Sequence, residues 1–149
     1  MNIIKVLEAN KTNYIDLLLI ADESVDMIEK YLYRGDLFAL YENTILRSLC
    51  VVTKEETGEY ELKNLVTVPE YEGNGYAKIL IDYVATNFLE SGKRLLVGTG
   101  ECPWILRFYE NCGFTRSHVV PNFFIDNYDH IMYDDGIQLI DMIYLKREL

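Results

Sequence analysis

Between Leu65 and Leu80 the hydrophobic pattern of the chain changes period. Leu65-Val66-Thr67-Val68 has the composition of a strand. From Tyr76 to Leu89 the apolar residues Ala77, Leu80, Ile81, Val84 and Phe88 fall at i, i+3, i+4, i+7 and i+11, the spacing of an amphipathic helix. Pro69-Glu70-Tyr71-Glu72-Gly73-Asn74-Gly75 lies between them. A strand that runs through a glycine-bearing turn into such a helix calls for a sheet covered by helices. It also leaves backbone N–H groups at the helix start, where the dipole favours an anion. Gly73 and Gly75 either clear the way for a phosphate to approach the backbone or serve only to reach positive φ. Lys78, in the first turn, could add charge.

The rest of the chain supplies the other layers. Ile3–Leu7 reads as a strand and Asn13–Ala21 as a helix. A second helix, Val25–Tyr33, is capped by Ser24 and ended by Gly35. Leu37–Tyr41 and Thr44–Thr53 read as strands joined by a turn at Glu42-Asn43. The turn Glu55–Gly58 then leads into a strand over Glu59–Val68. Gly92 is the expected C-cap of the helix that starts at Tyr76. Arg94–Val97 reads as a short buried strand. Trp104–Asn111 reads as a helix with Ile105, Phe108 and Cys112 on one side, stopped by Gly113. Phe114–Val120 and Gln138–Leu145 read as the last strands, joined by the aromatic, acidic segment Asn122–Asp135. The expected order is β-α-α-β-β-β-α-β-α-β-β, a mixed α/β (α+β) architecture in one domain spanning 1–149.

Composition narrows the function. The net charge is −10, from 14 basic and 24 acidic side chains, so a general nucleic-acid partner is not expected. Residues 1–75 hold 7 basic and 14 acidic side chains, and residues 76–149 hold 7 and 10. Such a surface either attracts a cationic small molecule or is a solvated face. Cys50, Cys102 and Cys112 form no Cys-x-x-Cys pair, which argues against a structural zinc site or a disulfide framework. No apolar run approaches a bilayer span and the first residues do not resemble a secretory signal, so no membrane partner and a cytoplasmic location are expected. Two familiar phosphate loops are absent. Gly-x-x-x-x-Gly-Lys-Ser/Thr does not occur, and Gly73-x-Gly75 is followed by Lys78 rather than a third glycine.

The run Val66-x-Val68-Pro69-x-Tyr71, followed by a short loop into a helix, resembles the acetyl-CoA-binding motif of the GNAT superfamily of N-acetyltransferases. The family core, Gln/Arg-x-x-Gly-x-Gly/Ala, corresponds to Glu72-Gly73-Asn74-Gly75-Tyr76-Ala77. Trp104–Phe114 resembles the family's helix ending in Tyr-x-x-x-Gly-Phe, here Tyr109 to Phe114. The element order agrees, and the resemblance covers nearly the whole chain. It implies a GNAT-like mixed, mostly antiparallel central sheet with helices on both faces. Main-chain groups of Leu65, Val66 and Thr67 would pair with the pantetheine arm. The amides of Gly73, Asn74, Gly75, Tyr76, Ala77 and Lys78 would hold the pyrophosphate, and Tyr109 would protonate the departing thiolate. The chain departs from the pattern at Glu72, where the family has Gln or Arg, and at Asn74, where a basic residue is common. It departs again at Cys102, where Asn often helps hold the cofactor. With those changes, Lys78 is the only cation expected near the loop.

The activity so implied moves an acetyl group from acetyl-CoA, as co-substrate and without a metal, to a primary amine by direct attack in a ternary complex. A backbone N–H near Val66 or Thr67 could polarise the carbonyl, and Glu101, just after the Arg94–Val97 strand, could accept the amine proton. His118 and His130 read as structural or solvated, and Cys102 as a packing or cofactor-lining thiol. Asp22–Asp36 and Asn122–Gly136 combine carboxylates with aromatic rings, which suits a cationic small-molecule amine or, on the other reading, a solubilising loop with an apolar anchor. Homodimerisation is compatible with the sequence, which offers no specific interface. The alternatives are a non-catalytic GNAT-fold CoA-binding module and a protein-interaction module using the aromatics of 123–133.

Overall fold

The computed structural model describes residues 1–149. They form two compact units, residues 1–93 with Leu149, and residues 94–148. The first unit contains β1 (Asn2–Lys5), a 3-10 segment (Glu8–Tyr14), α1 (Ile15–Ala21), α2 (Val25–Leu32), β2 (Asp36–Glu42), β3 (Ile45–Lys54), β4 (Tyr60–Thr67), a short 3-10 turn (Pro69–Tyr71) and α3 (Tyr76–Asn87). The second contains β5 (Arg94–Thr99), α4 (Pro103–Asn111), β6 (Thr115–Val120), α5 (Phe123–Asn127), β7 (Tyr133–Asp134), β8 (Ile137–Gln138) and β9 (Met142–Glu148). No helix is long and apolar enough to cross a membrane.

In the first unit β1 to β4 pair antiparallel in chain order. Period-2 alternation divides their side chains between two faces. Leu37, Ala39, Leu49, Val51 and Val66 pack with Leu18 of α1 and with Ile28, Tyr31 and Leu32 of α2. On the opposite face Phe38 meets Phe88, ring centroids 4.8 Å apart, and α3 presents Leu80, Ile81 and Val84 to the strands. Helices therefore cover both faces of this sheet. Ser24 caps α2 as expected, its Oγ accepting from the Met27 amide at 3.2 Å. The far end of α2 is held by Lys11, a fully buried lysine whose Nζ donates to the carbonyls of Leu32 (2.8 Å) and Gly35 (2.6 Å) and pairs with Glu8. A cation at carbonyls that lack helical partners satisfies them and complements the helix dipole.

Several boundaries differ from the sequence reading, each for a local reason. The β2–β3 turn is Asn43-Thr44, with φ of 53° and 64°, one residue later than expected, because a two-residue hairpin loop of this hand needs both central residues left-handed. The helix expected over 13–21 begins as 3-10 and becomes α only at Ile15. Gly92 is not the cap of α3. That helix closes with the Phe88 amide on the Val84 carbonyl, and Gly92 sits in a later turn donating to the Leu149 carbonyl.

In the second unit β9 pairs antiparallel with β5 on one side and β6 on the other. α4 stops at Gly113, φ +88°, as expected. Its buried residues are Leu106 and Tyr109, with Cys112 following; Ile105 and Phe108 are only half-buried, so the expected face is rotated by one residue. The strand expected over 138–145 is split. Leu139 turns to donate to the Met132 carbonyl, Asp141 accepts from the Asn122 amide, and the strand resumes at Met142. Residues 123–138 hold α5 and the β7–β8 hairpin, three elements added to the expected order.

Candidate active site

The residues expected to hold pyrophosphate occupy the turn from β4 into α3. The chain leaves β4 through the Pro69–Tyr71 turn, where the Tyr71 amide donates to the Val68 carbonyl. Asn74 then folds back, its Nδ2 donating to the carbonyls of Tyr71 (2.9 Å) and Glu72 (3.3 Å). Gly73 and Gly75 both take φ near +80°, and a Cβ placed on either meets nothing within 4 Å. Gly75 is the N-cap of α3 and has no side chain to offer the helix. The first helical bond is Ile79 N–H to Gly75 C=O, so the amides of Tyr76, Ala77 and Lys78 have no helical acceptor. Open space stands before three free donors at the positive end of a helix, which fits a bound phosphate. β4 pairs with β3 through Thr67, and Leu65 and Thr67 are half-buried beside the buried Val66.

The charges around this turn differ from expectation. Glu72 is exposed. Lys78 is tied to Asp82, Nζ to Oδ2 3.0 Å, one turn along the helix. The cation that does pack at the turn is Arg47, whose guanidinium carbon lies 4.1 Å from the centroid of the Tyr71 ring and 5.6 Å from that of Tyr76. Its Nη2 donates to the Glu42 carbonyl, and its Nε is buried without a partner. The Tyr76 hydroxyl donates to Glu42, and that bond raises its pKa. Arg47 escapes sequence reading because a bulge aims it: Leu40 pairs with Ser48 and Tyr41 with Leu46, so Arg47 is the extra residue of β3.

In the second unit Glu101 is exposed just after β5. Cys102 is the N-cap of α4 and fully buried. Burial pushes its thiol pKa up, and the charges of Asp134 and Asp135 and a hydrogen bond to Asp134 add to the shift. Tyr109 is buried on α4 with its ring edge-on to Phe108 (5.2 Å) and Phe114 (5.6 Å). His118 stacks on Tyr144 at 4.6 Å, and His130 is exposed beside Asp129, whose pKa it lowers. In the aromatic segment Phe124 stacks on Tyr128, and both line a cavity of about 220 Å³ with Met132 and Leu139. No group of His, Cys, Asp and Glu side chains is clustered as a metal site.

Similarity to known proteins agrees with this geometry. Residues 34–116 match the family model of the Acetyltransferase (GNAT) domain. An uncharacterized N-acetyltransferase, YvbK, from Bacillus subtilis (strain 168) is 30% identical over 148 residues, 95% of this chain and 92% of the relative. A crystal structure of a GNAT family acetyltransferase from Elizabethkingia anophelis with acetyl-CoA bound superposes with a TM-score of 0.89 at 30% identity, over 99% of this chain and 97% of that one. A Bacillus subtilis acetyltransferase in complex with CoA gives 0.85 at 28% identity, over 99% and 98%. With the glycine-capped turn into α3, the Tyr109 helix and these likenesses together, the chain belongs to the GNAT acetyltransferase family.

Proposed function

We propose that the whole chain, residues 1–149, works as one N-acetyltransferase domain that transfers acetyl to a primary amine by direct attack in a ternary complex. The protein is an acetyl-CoA-dependent acetyltransferase. The observation that carries the cofactor half of this reading is the glycine-capped start of α3, with its three free amides and clear space. Acetyl-CoA supplies an acetyl thioester when bound. Leu65, Val66 and Thr67 pair with its pantetheine arm through their main chain, and residues 73–78 hold the pyrophosphate through their amides. Arg47 adds the positive charge that Glu72 and the engaged Lys78 do not. Cys102 is carried as a cofactor-lining residue on the family pattern.

The chemistry needs three groups, two that move protons and one that polarises the carbonyl. An ammonium must lose a proton before its nitrogen can attack, and Glu101 is the proposed acceptor, directly or through water. A backbone N–H near Val66 or Thr67 polarises the carbonyl. As the C–N bond forms and the C–S bond breaks, Tyr109 donates its phenolic proton to the thiolate, and the second proton released by the acylated nitrogen restores the phenol. Acidic, aromatic segments around 22–36 and 122–136 support a cationic small-molecule acceptor. Calorimetric titration with acetyl-CoA and CoA, with ATP as comparator, followed by thiol release on an amine panel, tests the proposal. Binding of both CoA forms without ATP binding, and thiol release with at least one amine, are expected. Binding without turnover on any amine would replace it with a non-catalytic CoA-binding module.

A further inference from the structure

Asn64 lies on β4, one residue before the segment assigned above to the cofactor arm, and its side chain faces α1 and α2. It is 5% exposed, between Leu62 and Val66 on the strand. Its Nδ2 donates to the Leu18 carbonyl at 3.1 Å and to the Tyr31 hydroxyl at 3.1 Å. A carbonyl only accepts, so the amide nitrogen must face Leu18, and the orientation of Oδ1 follows. Oδ1 is buried and accepts no hydrogen bond.

Neither group served by Nδ2 depends on it. The Leu18 carbonyl also accepts the helical amide of Asp22 at 3.1 Å, and the Tyr31 hydroxyl donates to Asp22 Oδ2 at 3.0 Å. An aliphatic side chain would therefore suit the fold at least as well as this amide. A buried carbonyl without a donor is uncommon in folded proteins, and one that persists calls for an explanation, a functional role among them. The charge nearby selects which donor. The chain Asn64, Tyr31, Asp22 ends on a half-buried carboxylate. A cation that donates N–H fits this field, and an anion or neutral acceptor does not.

We infer that Asn64 Oδ1 accepts an N–H from the substrate amine, with Tyr31 and Asp22 holding the amide in place and Asp22 supplying the countercharge, so that the enzyme selects cationic amines. The inference rests on the amine-transfer reading above. Asn64 has no titrating proton and binds the amine rather than deprotonating it. The test uses the full chain and its Asn64→Leu and Asp22→Asn variants, with putrescine, spermidine, kanamycin and lysine as probes. KM for amine and for acetyl-CoA, kcat and the unfolding temperature are each measured. Asn64→Leu is expected to raise the amine KM at least tenfold, to leave the acetyl-CoA KM within twofold, and to leave the unfolding temperature equal or higher. Should Asn64→Leu not fold, Asp22→Asn decides, with an expected rise of about threefold or more in amine KM. An unchanged amine KM with an altered unfolding temperature would reduce the site to a structural amide and overturn the inference while the transferase reading stands. Thiol release with none of the four probes would overturn both together.

Discussion

The turn from β4 into α3 and the turn from β5 into α4 make the same connection with the same kind of residue, yet their glycines answer to different constraints. At the first, Gly73 and Gly75 sit at φ near +80° with nothing within 4 Å of an added Cβ. At the second, neither Gly98, near the end of β5 and paired with Tyr144, nor Gly100 in the turn itself is left-handed, and the space is taken. A Cβ on Gly98 would meet Met142 Sδ at 2.5 Å and Tyr144 Cζ at 2.9 Å, and one on Gly100 would meet the Leu139 side chain. The first helix opens with three unpartnered amides. The second opens with Pro103, which has no N–H, behind a buried Cys102 whose amide already donates to Gly100. The first turn is open and the second is packed, which is why we propose cofactor binding at the first and chemistry on the helix that follows the second.

The sharpest way to break that division is to separate binding from turnover. Tyr109→Phe keeps the ring among Phe108 and Phe114 and removes the proposed acid, so kcat should fall about 100- to 1000-fold with acetyl-CoA affinity unchanged by calorimetry. Equal loss of both would contradict the acid role. Gly75→Val should weaken acetyl-CoA binding about 100-fold by setting a branched side chain before the free amides. Any L-residue at φ +81° is also strained, by roughly 1–2 kcal/mol, so Gly75→Ala serves as the control, losing stability with much less affinity. Unchanged affinity in Gly75→Val would remove the phosphate assignment.

The packed turn should respond the other way. Gly98→Ala forces Met142 and Tyr144 aside and should destabilise the fold by about 1–3 kcal/mol in denaturant titration, with acetyl-CoA affinity of the folded protein retained. A neutral Gly98→Ala would mean that the second turn has slack. Arg47→Gln removes the cation stacked at the first turn while keeping a polar side chain with the same first three carbons. It should weaken acetyl-CoA about tenfold, equivalent to ~1.4 kcal/mol, and the loss should shrink with added salt. A salt-independent loss would point to packing against Tyr71 and Tyr76 instead of charge.

How far the sequence anticipates this contrast depends on the range of the forces involved. Local signals read correctly: Ser24 as a cap, Gly113 as a stop, and the period change across Gly73–Gly75, since each is decided by backbone geometry within a few residues. The family likeness of the two motifs carried the fold class. Asp135-Gly136, at φ 48° and 82°, is a hairpin signal that was present but masked, because strands of two residues each cannot display alternation. α5 is only five residues long and its periodicity is equally brief. Arg47 and Asn64 carry no local mark at all. Arg47 matters through a bulge set by pairing with β2, and Asn64 through partners 33 and 46 residues away. Gly98 and Gly100 could not be told from Gly73 and Gly75 because what fills their space arrives from residues 139–144.

The smallest effect concerns the thiol behind the packed turn. Burial first, and then the charges of Asp134 and Asp135, raise the Cys102 pKa above its ordinary value of 9.0. The folded state therefore keeps this proton at a pH where the unfolded chain has lost it. Stability from the buried neutral thiol is fully present below pH 9.0 and declines as pH rises through that value toward the folded pKa. Cys102→Ser has no such titration, so the difference between the two stability profiles should be flat up to pH 9 and tilt against the wild type above it. Asp134→Asn removes one of the raising charges and the hydrogen-bonded carboxylate, and should bring the pKa of the folded thiol down, leaving a shallower tilt. Alkylation by iodoacetamide at pH 8.5 should be slow in the wild type and faster in Asp134→Asn. Rapid alkylation of Cys102 in the native wild type would show that the second turn opens readily, and its contrast with the first would then be one of degree.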